Sequence, residues 1–288
     1  MDWVAIIAAA IGGGIGGGLG GLISRFFGST AVRTALVVGL AVAGATLARP
    51  VIQPQIEAYL GPSLRGSQFD SLYESQIKAE IKKIPALERI FKDDPTVEQR
   101  FKDKARAAFE KGGAKELLES SGGIGAEVIG EAMGRYLPRA RAQDLMLFAK
   151  TMAEVLDMMN AKDPEACVLH QFGASYGKPL PTRRLNAVIG KEGQEKQLVA
   201  LNALVTNAGP TIVAFDKPKA DAAIAALAQR HAPLLTGNAA EVAGGKRPPA
   251  NAEEAKVACS FALALFKDVS TMDPATAELI LRGMFAVG

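Results

Sequence analysis

Gly173-Ala174-Ser175-Tyr176-Gly177 matches the G-x-S-x-G pattern of a nucleophile elbow, and Asp216 or Asp221 and then His231 follow in the order serine, acid, histidine. Nucleophilic catalysis of that kind needs a strand before the serine and a helix after it, so that the hydroxyl stands exposed near free amides. The flanking residues argue against this. Cys167–Phe172 follows a helix-start signal, and Lys178-Pro179-Leu180-Pro181 cannot open a helix in the normal way. The pentapeptide therefore reads as a loop at the C-terminal end of a helix.

Three further groups of residues could carry chemistry. Glu119-Ser120 before a glycine-rich stretch resembles the Glu-Ser dipeptide of lytic transglycosylases, whose general-acid glutamate sits in an all-α fold. The Gly-Leu-Met-Gln pattern of that family is missing; GIGAEVIGEAMG stands in its place. A helix ending at Glu119 with a glycine loop is the simpler expectation. Cys167 and His170 are spaced C-x-x-H, but a structural zinc site needs about four ligands and the chain has 2 histidines and 2 cysteines in all, so no metal is expected. Cys167 and Cys259 can instead bridge two helices as a disulfide, or be two separately buried thiols. Gly244-Gly245-Lys246-Arg247 lacks the leading glycine and the Ser/Thr of a phosphate-binding loop, so neither a nucleotide nor another cofactor is expected.

The strongest pattern is not catalytic. The first 48 residues hold only Asp2, Arg25 and Arg33 as charges, and much of the chain's positive mean hydropathy of +0.13 resides there. Residues 3–24 carry no charge and no proline, and as a helix would measure roughly 33 Å, enough to cross a bilayer. Eight glycines lie between Gly12 and Gly21. Each weakens a helix by about 1 kcal/mol in water. Their spacing offers compensation. Ala8, Gly12, Gly16 and Gly20 fall four apart and cut a smooth groove that admits another helix backbone closely. This resembles the general glycine-zipper pattern, which names no family.

Residues 31–48 form a second apolar run, with Ala35, Gly39 and Ala43 again four apart. The two runs and their short connection predict a transmembrane helical hairpin over residues 1–48. A signal-like segment cleaved after Ala43-Gly44-Ala45 is the weaker alternative. Arg25 and Arg33 in the hairpin connection abut the apolar spans more closely than Arg49 and Arg65 beyond them. Positive charge is retained on the cytoplasmic side, so the bulk of the chain is expected outside the cytoplasm.

Residues 49–68 form a linker broken by Pro50 and Pro54, and residues 69–288 have the composition of a globular helical protein. Leu72, Ile77, Ile81, Ile84, Leu87, Ile90 and Phe91 recur at amphipathic-helix spacing. So do Leu145, Phe148, Ala149, Met152, Leu156 and Met159, then Leu198, Leu201, Leu204 and Val205, then Val257, Phe261, Leu265 and Val269. Asp94-Pro95, Asp163-Pro164 and Asp273-Pro274 each read as an N-cap followed by a proline at the first helical position. Alternation with period two occurs only over Thr211–Phe215, too short to anchor a sheet. The fold is expected to be all-α, with exposed loops at 173–184 and 236–251.

Charge and composition exclude other classes. A net charge of +3, nowhere concentrated, is no footprint for nucleic acid, and 22% charged residues argue against disorder. The expectation is a membrane protein of the bacterial inner membrane with a periplasmic helical domain. Its partners would be membrane lipid and other transmembrane helices, its own copies or a foreign protein's, with Gly12, Gly16, Gly20 and Gly39 carrying the packing. It would act as a non-catalytic scaffold or assembly subunit. An oligomeric pore and a membrane-anchored cell-wall or lipid-acting hydrolase are the alternatives.

Overall fold

The computed structural model describes residues 69–71, 73–173, 178 and 180–285. Helix makes up 82% and no strand occurs among them, which fixes the class as all-α. The transmembrane hairpin predicted for residues 1–48 and its linker lie outside the described residues. Within the described part, no helix is long and apolar enough to cross a membrane.

A π-helical turn, Tyr73–Ile77, and a single α-turn, Lys78–Ile81, lead into α1 (Pro85–Asp93) and α2 (Pro95–Tyr136). There follow α3 (Ala142–Lys162), α4 (Pro164–Phe172) and α5 (Thr182–Thr206). The chain ends with α6 (Lys217–His231), the short α7 (Ala239–Ala243), α8 (Ala252–Thr271) and α9 (Pro274–Phe285). The three Asp-Pro pairs start helices as predicted. Asp94 accepts from the Thr96 amide at 3.0 Å, Asp163 from Ala166 at 3.0 Å and Asp273 from Thr276 at 3.0 Å. Asp216 caps α6 in the same way, with the proline one position later at Pro218.

Helix α2 is two helices. Its 42 residues would make a straight rod of about 63 Å. Yet Arg135 Nη1 lies 2.6 Å from Asp94 Oδ2, and the Tyr136 hydroxyl donates to Asp93 at 3.0 Å. The two ends meet because the chain folds back at Gly112-Gly113, where Gly113 adopts φ 66° and ψ −154°, a conformation closed to residues with a Cβ. The break thus precedes Glu119, and the backbone of Glu119-Ser120 lies inside the second arm rather than at a helix end.

The core centres on α3. Leu145, Phe148, Ala149, Met152, Leu156 and Met159 are buried as their spacing predicts, but so are Thr151, Ala153 and Val155 on its other sides. A helix buried nearly all round must have neighbours on several faces. Helices α5 and α8 supply the two largest, while α4 and α9 cover further parts. Phe148 stands edge-on to both Phe266 of α8 and Phe285 of α9, with centroids 6.3 Å and 5.6 Å away. Apolar rings that meet edge to face add to the area they remove from water.

The segment 236–251 differs from the plain exposed loop expected of its Gly- and Pro-rich sequence. Ala239, Ala240, Val242 and Ala243 of α7 are buried against α8. Arg247 then ties the remainder down by bonding Glu241 at 2.8 Å and Glu254 at 2.8 and 3.0 Å.

Candidate functional site

The four glycines expected to carry helix packing, Gly12, Gly16, Gly20 and Gly39, lie outside the described residues. The other predicted pair does not. Cys167 sits on α4 and Cys259 on α8, both buried, with Cα atoms 5.8 Å apart and the two sulfurs joined as a disulfide. Local sequence explains the meeting. The Asp163-Pro164 cap starts α4 directly after α3, and Arg184 holds that corner by donating to Asp163 at 2.7 and 2.8 Å and to Glu165 at 2.8 Å. Helix α4 is thereby laid against α8. The Cys259 sulfur also lies 3.9 Å from the Leu156 carbonyl oxygen, so α3, α4 and α8 converge on the bridge.

One turn along α4 from Cys167, His170 is only 1% exposed, and neither ring nitrogen has a hydrogen-bond partner. Burial alone pushes its pKa down to about 4, because removing an imidazolium from water is costly. The ring is therefore neutral at pH 7. The neighbouring Gln171 is equally buried, with its Oε1 unpartnered. With Cys167 committed to sulfur–sulfur bonding, the C-x-x-H spacing supplies no thiolate. No group of three potential metal ligands occurs among the described residues.

The histidine and one of the acids weighed for nucleophilic catalysis each have another partner. Ser175 lies outside the described residues. His231 Nε2 is 2.8 Å from Asp268 Oδ2, which Arg230 also contacts at 2.7 Å. Its carboxylate partner is thus neither Asp216 nor Asp221. Asp216 is occupied instead at the start of α6, accepting from the Lys219 amide at 3.1 Å and pairing with its ammonium at 2.9 Å. Strand context is absent too, since the residues before Gly173 form helix α4.

Some of the most engaged polar residues gave no local signal. Arg89 of α1 donates to the carbonyls of Val205, Thr206 and Ala208 at 2.7, 2.8 and 3.0 Å. It caps the end of α5, where carbonyls lack helical partners and carry the negative end of the helix dipole. Arg282 is 6% exposed and donates to Glu278 at 2.7 Å and to the Ala140 carbonyl at 3.0 Å. Both act by docking one helix on another.

Comparison with known proteins finds no matching family, no similar curated protein and no similar solved structure.

Proposed function

We propose that the protein is a membrane-anchored, non-catalytic scaffold or assembly subunit. The observation that carries this is the ladder of small residues at Ala8, Gly12, Gly16 and Gly20, matched by Ala35, Gly39 and Ala43 in the second apolar run. In lipid, helices gain little from hydrophobicity and associate by close backbone packing, which such ladders permit. Two features of the helical domain support the same view. Arg89 and Arg282 tie α1 and α9 to other elements, and the cysteines are paired across α4 and α8. Structural disulfides persist in oxidising compartments, which favours a domain outside the cytoplasm.

Gly16→Leu tests the proposal by filling the groove while keeping the segment apolar. The mass of the detergent-solubilised assembly should fall relative to wild type. An unchanged mass would overturn packing through this ladder, and conductance in reconstituted vesicles would replace a scaffold with a pore. Placement is tested separately with Leu234→Cys, since Leu234 is exposed. A membrane-impermeant maleimide should label it in intact cells; labelling only after lysis would put the domain in the cytoplasm.

A further inference from the structure

Large apolar side chains are rarely exposed among the described residues, and two adjacent ones share a single tip. Ile212 is 68% and Val213 38% exposed. Pro210, Thr211 and Ala214 are exposed around them, and Phe215 is half-buried at the base. The tip is held in place. The Gly209 amide donates to the Arg139 carbonyl and the Val213 amide to the Pro138 carbonyl, each at 3.0 Å. These bonds fasten it to the 3-10 turn Leu137–Arg139 between α2 and α3.

Three cations close to the tip or its anchoring turn in the chain are the more exposed members of their ion pairs. Arg135, just before that turn, has a side chain 58% exposed, while its partner Asp94 is 13% exposed. Arg141, just after it, is 49% exposed against 6% for Asp144. Lys219, beyond the tip on α6, is 76% exposed against 44% for Asp216. In each pair the acid is the more sheltered member, so three basic side chains near the tip in the chain face solvent as the outer ends of ion pairs.

Resting on the membrane-anchored reading above, we propose that the 210–215 tip inserts into the headgroup layer of an anionic bilayer, with Arg135, Arg141 and Lys219 against the lipid phosphates. A tip of about six residues is too small for a stable protein interface, which buries about 800 Å² on each partner. Lipid asks for less, because an apolar wedge and basic flanks bind a surface to which the chain is already tethered. Residues 49–68 span at most about 70 Å when extended, which confines the described helices to the neighbourhood of the bilayer that the predicted hairpin would occupy.

The full-length chain reconstituted in vesicles gives the test. The single native tryptophan, Trp3, lies in the predicted hairpin and reports its insertion. A Trp3→Phe, Ile212→Trp variant reports the tip, and Trp3→Phe, Leu234→Trp is the control, since α6, 15 residues and so about 22 Å long, separates the turn that holds Leu234 from the tip along the chain. Brominated lipid should quench emission at 212 in anionic vesicles, less in zwitterionic vesicles or high salt, and leave 234 unquenched. Emission at 212 quenched by aqueous acrylamide and untouched by brominated lipid would overturn the proposal. If Trp3 is then quenched by brominated lipid, the anchored reading survives; if it too is untouched, both fall. Shielding of 212 from acrylamide without any quenching by brominated lipid would also overturn it, by showing a protein surface over the tip.

Discussion

Around Cys167 the helices α3, α4 and α8 meet through buried apolar side chains, a disulfide and a neutral histidine. Between Asp70 and Arg106 the chain is joined very differently. There Asp70 pairs with Lys102 and Arg106, Glu74 with Lys78 and Lys102, and Glu98 with Lys78, all at least partly exposed. Beneath these pairs Phe69 and Tyr73 are buried, Phe69 against Phe109 with ring centroids 5.6 Å apart. Burial supplies the energy in both regions. What differs is the polar component, which is sealed and irreplaceable in one and solvated and redundant in the other. Exposed ion pairs contribute about 0–1 kcal/mol each, whereas a buried group changed in charge or cut from its tether costs several times that.

The largest effect should come from reduction. Cys167 and Cys259 are separated by 92 residues, and releasing a loop of that length restores about 4–5 kcal/mol of chain entropy to the unfolded state. Urea unfolding with and without reductant should show a loss approaching that size, and Cys167→Ala, Cys259→Ala should match the reduced protein. A negligible shift would place the strength of the centre in its packing alone.

Acidification should come next, through His170. Its folded pKa is pushed down to about 4 by burial, while an unfolded histidine titrates near 6.5. Between those values the unfolded chain holds more protons, so stability is lost as pH falls. From pH 7 to pH 5, above the carboxylate range, the loss amounts to about 2 kcal/mol. His170→Leu should remove that slope in urea unfolding followed at the two pH values. A wild-type slope retained in the variant would assign it to other groups.

Much of this centre was legible in the sequence, for physical reasons. An aspartate that can cap and a proline that fits the first helical position point to the same helix start, and all three such pairs make one. The stripe from Leu145 to Met159 had one period and one burial. Where several structures compete for one residue type, legibility stopped. The chain has 30 glycines, and among the described residues only Gly113, Gly190, Gly237 and Gly245 have positive φ. Nothing local separated the break at Gly112-Gly113 from the run at Gly122–Gly125 that continues in helix. Asp216 resembles a catalytic acid only by its place between Ser175 and His231, and its capping role is hidden because its proline is displaced by one position. The pairings of His231 with Asp268 and of Arg89 with three α5 carbonyls depend on helices meeting across 37 and more than 100 residues, which spacing along one helix does not encode.

The smallest effect should be at Asp70, where the comparison is most exposed to failure. Hydrogen bonds from Arg106 and then Lys102 hold its carboxyl below the usual aspartate range. A depressed acid adds stability at neutral pH, which is lost as pH falls through the folded value. Solvent surrounds the group, however, and after Asp70→Asn the two cations still find water, while Lys102 keeps Glu74 at 3.2 Å. The urea midpoint should therefore move less than for His170→Leu or for reduction. The difference should vanish in about 1 M salt, where charges are screened within about 3 Å. A shift as large as that of reduction, persisting in salt, would mean that Asp70 holds its region as the disulfide holds the centre. The contrast between solvated and sealed polar groups would then fail.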